Sequence, residues 1–215
     1  MEKINEVKEI LKKNHQEQLL ICYDKLDNKG KEKLLDQILS IDFDLMNELY
    51  ENTKKEIKIG DDKIEPIEYV DKDKLSKEEY EKLEKKGVEI IKEGKLAVLT
   101  MAGGQGTRLG YNGPKGTFDI GLDTHKSLFE LIEEPIKEAN SKYNVIIPWY
   151  IMTSNENNAE TVKFFEDNKY FGYPKEGIKF FIQGELPMID KEGKILVNEE
   201  GFLKLAADGH GGVFE

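Results

Sequence analysis

Apolar residues recur every three or four positions through most of residues 1–94, then gather into short dense runs. Ile4, Val7 and Leu11, followed by Leu19, Cys22 and Leu26, trace one helical stripe over residues 1–27. His15 lies on that stripe and reads as a helix-boundary residue, with Asp27-Asn28-Lys29-Gly30 as the stop. Leu34, Leu35, Ile38 and Leu39 predict a second helix from Lys31, and Asp42 caps a third from Phe43 through Met46, Leu49 and Tyr50. Residues 54–75 lose this period and read as a surface connection, with one short strand or packed segment at Ile64 to Val70. Ser76-Lys77-Glu78-Glu79 is a capping box, and Tyr80, Leu83, Ile90 and Ile91 carry its helix to Gly94. Gly87 weakens that helix midway.

Past residue 94 the pattern changes. Leu96 to Met101 is an apolar run bounded by polar and glycine positions, which predicts a strand buried on both faces. Ser127-Leu128-Phe129-Glu130 caps a helix to about Tyr143, disturbed in its middle by Pro135. Val145 to Thr153 is a second strand, Asn157 to Asn168 a helix, and Ile178, Phe180 and Ile182 alternate into a third strand. Strand, helix, strand, helix, strand implies a parallel sheet with right-handed crossovers. Residues 191–206 look like a hairpin excursion around Gly201. The fold class expected is α/β: a helical region over 1–94, then a Rossmann-like parallel-sheet domain over 95–215.

Charge narrows the function. The net charge of −11 over 215 residues argues against a nucleic-acid surface. Cys22, alone, excludes a disulfide framework or a cysteine-based metal site. No apolar run approaches the length of a membrane span, and the N-terminus is charged rather than signal-like. The expected setting is cytoplasmic, with no nucleic-acid or membrane partner.

The chemistry concentrates between Lys95 and Gly121, where Gly103, Gly104, Gly106, Gly110 and Gly113 surround Arg108 and precede Lys115. Glycines let backbone N–H groups approach an anion, and a cation pair on the same loop suits a triphosphate. A Walker loop needs Gly-Lys-Ser/Thr, which the sequence lacks. A dinucleotide fingerprint fails by one residue, since Leu109 stands where the third glycine belongs. A nicotinamide-dependent oxidoreductase is therefore the weaker rival.

What does fit is Met101 to Gly116, an L-x-G-G-x-G-T-R-L-G run with methionine first, followed by P-K-G. It resembles the signature of the sugar-1-phosphate uridylyltransferases, in the branch holding the UDP-N-acetylhexosamine and UDP-glucose pyrophosphorylases. PWYIMTS at Pro148 to Ser154, KYFG at Lys169 to Gly172, FFIQGELP at Phe180 to Pro187 and DGHGG at Asp208 to Gly212 resemble later segments of that branch. The resemblance implies a glycosyltransferase-A-like nucleotidyltransferase domain, incomplete at its C-terminus, that takes UTP and a sugar 1-phosphate. It implies a nucleotide cradle of Met101, Ala102, Gly103, Gly104, Gly106 and Thr107, with Gln183 and the Gly209 backbone reading uracil. Arg108 and Lys115 become the catalytic cations, and His210 faces the substrate. Many N-acetylglucosamine enzymes carry asparagine at the position of His210, whereas the G-H-G form belongs to UDP-glucose and broad UDP-sugar enzymes. Mg²⁺ is implied as cofactor, with its carboxylate ligand outside this chain. The other implied reading is a fragment that binds UTP but is catalytically incomplete.

Overall fold

The computed structural model describes residues 2–56, 65–209 and 211–214 of the chain. It divides into two compact units, Met1–Glu65 with Glu185–Asp208, and Pro66–Gly184 with Gly209–Glu215. Each has its own core.

In the first unit, α1 (Glu2–Lys13) buries Val7 and Leu11. The predicted helix over residues 1–27 stops there, because His15 turns to φ 56° and the chain continues as 3₁₀ turns at Glu17–Leu20 and Tyr23–Lys25. The cause is Gln16, which is buried: its Oε1 accepts the Ile195 N–H at 2.9 Å and its Nε2 donates to Gly193 O at 2.9 Å. Those backbone groups need partners once buried, and a continued helix would not supply them. Asp27 is a start rather than a stop. Its carboxylate accepts the Gly30 N–H at 2.7 Å and caps α2 (Asn28–Leu39). Asp42 caps α3 (Phe43–Thr53) as the sequence predicts, accepting the Leu45 N–H. Leu19, Leu34, Leu35 and Ile38 join Val7 and Leu11 in a core completed by Ile195 and Leu203. The hairpin expected around Gly201 is closed by the bridge Val197–Leu203, and a second turn, closed by Ile189–Ile195, forms around Gly193.

The second unit is mixed helix and parallel sheet, the fold class expected. Helix α4 (Lys77–Lys92) carries the Ser76–Glu79 capping box and runs unbroken through Gly87. Strands β1 (Val98–Met101), β2 (Trp149–Thr153) and β3 (Ile178–Ile182) pair in parallel in the order β1-β2-β3. Helix α5 (Leu128–Tyr143), capped by the Ser127–Glu130 box, passes through Pro135 without interruption. Helix α6 (Asn158–Asp167) fills the second crossover. The core is aromatic. Phe165 packs against Phe129, Phe171 and Phe180 with ring centroids 4.8, 4.9 and 5.1 Å away, edge to face.

Two local expectations change. β1 is not buried on both faces: it lies at the edge of the described sheet, with Leu99 41% and Met101 51% exposed. An edge strand has a neighbour on one side only, so the more completely enclosed strand is the central β2. Ile64 lies outside the described residues, and 65–70 form no strand, with Ile67, Tyr69 and Val70 exposed. The first unit holds one further antiparallel pair, β4 (Glu185–Pro187) with β5 (Leu205–Ala207). No described helix is long and apolar enough to cross a membrane.

Candidate functional site

Ligands of open α/β sheets bind beyond the carboxyl ends of the strands. The glycine loop leaves β1 at that end, where Ala102 N–H still donates to Met152 O at 2.7 Å. The loop then closes on itself. Gly106 N–H donates to Gly113 O at 2.9 Å and Lys115 N–H to Gly104 O at 3.1 Å, which pairs Gln105 with Pro114. Beneath this ring Tyr111 OH donates to Thr117 Oγ1, which itself donates to Pro114 O, each at 2.8 Å. A Cβ on Gly106 would lie 2.7 Å from the Tyr111 ring. That position therefore needs glycine for close packing.

Both cations sit on rigid turns. Arg108 belongs to the 3₁₀ turn Thr107–Leu109, and Lys115 opens the 3₁₀ turn Lys115–Thr117. Both side chains are exposed, and among the described residues neither has an ion pair or hydrogen bond. Lysines elsewhere do pair, as Lys163 does with Asp167 at 2.6 Å. Two unpartnered cations beside free amides on one loop are what an anion site would require, on a strongly acidic chain.

Gln183 follows β3, fixed by its N–H to Thr153 O at 2.8 Å. Its carboxamide lies over Gly103, where a Cβ would come within 2.8 Å of Nε2. The structure thus joins Gln183 to the start of the glycine loop. A cleft of about 320 Å³ borders the same loop, lined by Thr100, Met101, Lys115, Leu128, Phe129 and Ile132. Gly209 is exposed with φ 89°, and nothing described lies within 4 Å of where its Cβ would sit. It is not brought against Gln183. His210 lies outside the described residues.

Sequence reasoning overlooked Tyr111, Thr117 and Asn157. Asn157 is fully buried, and its Nδ2 donates to Ala102 O at 2.9 Å and Gly104 O at 3.4 Å. The only signal for it was position, four residues past the end of a strand, where it read as a helix start. Acidic ligands for a metal do not assemble: no described group of three or more histidine, cysteine or acidic residues could hold an ion. Asp119, just past the loop, has its carboxyl held below the usual range by the Gly121 N–H and then by His125.

Comparison with known proteins bears on what this arrangement serves. A family model described as UTP–glucose-1-phosphate uridylyltransferase matches residues 40–215. UDP-N-acetylglucosamine diphosphorylase 2 of Arabidopsis thaliana is 37% identical over 96% of the chain. UDP-N-acetylglucosamine pyrophosphorylase of Saccharomyces cerevisiae is 39% identical, also over 96% of it. The crystal structure of the uridine diphosphate N-acetylglucosamine pyrophosphorylase from Trypanosoma brucei, in complex with inhibitor, superposes with a TM-score of 0.72 at 31% identity. It covers 100% of this chain and 44% of its own. The chain likewise spans 44% and 43% of the length of the two curated relatives.

Proposed function

Since this chain belongs to the UTP–glucose-1-phosphate uridylyltransferase family, we propose that it serves uridylyl transfer from UTP to a sugar 1-phosphate. The sugar proposed is N-acetylglucosamine 1-phosphate, after the printed names of the relatives, with glucose 1-phosphate as the other acceptor. The G-H-G form at Gly209 to Gly211 is the feature that favours glucose. One observation carries the reading: unpartnered Arg108 and Lys115 share a closed glycine loop whose start lies under the Gln183 amide.

In this reaction an oxygen of the sugar phosphate bonds to the α-phosphorus while the bond to the bridging oxygen breaks and pyrophosphate leaves. No protein nucleophile is needed, so the protein contributes positioning and charge neutralisation. Arg108 holds the β- and γ-phosphates, and Lys115 meets charge growing at the α-phosphoryl group. The loop from Met101 to Thr107 supplies backbone donors. Gln183 offers the donor and acceptor that uracil O4 and N3–H require, with the Gly209 backbone and His210 as further proposed contacts. Mg²⁺ is the cofactor proposed for the family chemistry, but the described residues assemble no carboxylate set suited to its octahedral shell.

That same shortage favours a second reading, UTP binding by this chain without turnover. Calorimetric titration of UTP, run beside sensitive detection of pyrophosphate release with Mg²⁺ and a panel of sugar 1-phosphates, separates the two. Turnover with one sugar names the acceptor. Binding alone selects the second reading, and no binding rejects both.

Base reading is testable at one residue. Gln183→Ala is expected to weaken UTP roughly tenfold and to narrow the preference for UTP over CTP, since a polar edge is left unpaired. Competition titrations with both nucleotides measure it. An unchanged ratio removes Gln183 from the base site.

A further inference from the structure

Asn157 turns the glycine loop inside out. Its side chain is fully buried, its Oδ1 accepts the Ser154 N–H at 2.9 Å, and its Nδ2 reaches the carbonyls of Ala102 and Gly104. In a trans peptide the C=O and N–H of one unit point in opposite directions. A carbonyl of Ala102 drawn toward Asn157 therefore turns the Gly103 N–H away from it. The Gly104 carbonyl, held by the Lys115 N–H at 3.1 Å as well as by Asn157, does the same for the Gln105 N–H. Among the described residues neither of these N–H groups has an acceptor, whereas the Gly106 N–H is held by Gly113 O. Two carbonyl oxygens that would repel an anion are thus withdrawn, and two donors are left facing outward.

We propose that Asn157 is a positioning residue that aims the Gly103 and Gln105 amides at the phosphate oxygens of a nucleoside triphosphate. This rests on reading the loop as the phosphate site of UTP. Only an amide suits the position, because it must accept from Ser154 while donating to two carbonyls at once. A carboxylate of the same shape keeps the first contact and sets an oxygen against both carbonyls. The peptide units are then driven to rotate, and carbonyls replace amides at the anion site.

Asn157→Asp tests this with a readout that mere structural loss would not give. At about pH 8 the variant is expected to bind inorganic tripolyphosphate 10- to 100-fold more weakly than the wild-type chain. As pH falls toward about 5.5 the buried carboxyl protonates, regains a donor, and the wild-type to variant ratio narrows. Glu160, exposed on α6 beside Gly113, is present in both proteins and cancels in that ratio. The preference for UTP over CTP stays at its wild-type value, because Gln183 is untouched. A pH-independent ratio, or a loss of base preference in step with a lower melting temperature, overturns the proposal.

A second measurement needs no variant. In ¹⁵N-labelled wild-type protein, tripolyphosphate is expected to shift the Gly103 and Gln105 amide resonances more than that of Gly106. Binding without those shifts also overturns it. Wild-type protein that binds tripolyphosphate, beside an equally competent Asn157→Asp, sinks this inference alone. Wild-type protein that binds neither UTP nor tripolyphosphate sinks the phosphate-loop reading, and this with it.

Discussion

Phe129→Ala is expected to cost the second unit about 3–5 kcal/mol of stability, the range for truncating a fully buried aromatic. The ring has no solvent exposure and lies 4.8 Å from Phe165 and 6.4 Å from Phe164. Its other contact is less ordinary. A Cβ on Gly116 would overlap the Phe129 ring, so the turn carrying Lys115 rests directly on the core. Removing the ring opens a cavity and loosens that turn together. Denaturant melts followed by fluorescence read the effect cleanly, since the single tryptophan, Trp149, is buried in the same core. The converse change makes the contact specific. Gly116→Ala is expected to cost about 1–3 kcal/mol by overpacking, and less in a Phe129→Leu background, where the smaller side chain makes room. A midpoint unchanged by Phe129→Ala, or costs that simply add in the double variant, would refute this account of the turn.

What was legible in the sequence was local. Ser76 with Glu79, Ser127 with Glu130, and Asp42 each satisfy backbone donors within three residues, so helix starts could be read from spacing alone. The break after α1 could not, because Gln16 finds its partners at residues 193 and 195. A stripe of apolar residues records which face is buried and says nothing of such distant obligations. Pro135 shows the opposite limit, a local breaker tolerated inside a helix that buries Phe129, Glu133 and Ile136. Alternation and apolar runs also fail to tell an edge strand from a central one, which is why β1 was expected to be enclosed. At the site, the glycine loop and Gln183 were legible as motifs and do meet. Asn157 was not, since a buried amide and a capping amide look alike in sequence. Only the carbonyls it reaches distinguish them.

The largest functional loss is expected at Lys115. In the complete enzyme, on the proposed reading of uridylyl transfer, Lys115→Ala should slow pyrophosphate release about 10²-fold while changing UTP affinity by only a few-fold. The backbone of Lys115 is pinned on both sides, by its N–H to Gly104 O at 3.1 Å and its carbonyl to Phe118 N–H at 3.2 Å. Its ammonium has no described partner and so is not committed to the resting protein. A triphosphate in the ground state already spreads its charge, and Arg108 is the cation proposed to meet most of it. Charge at the α-phosphoryl group grows only as the new bond forms, so a cation aimed there stabilises the transition state more than bound UTP. Losing one preorganised contact of this kind costs roughly 3 kcal/mol. Lys115→Arg is not expected to restore full rate, because a planar fork replaces a compact point charge on a turn with little slack. Single-turnover measurements with protein in excess make slow rates readable, and calorimetry with UTP supplies the binding side. A raised KM with the rate at saturation unchanged would place Lys115 in uniform binding and leave the α-phosphoryl charge to another group.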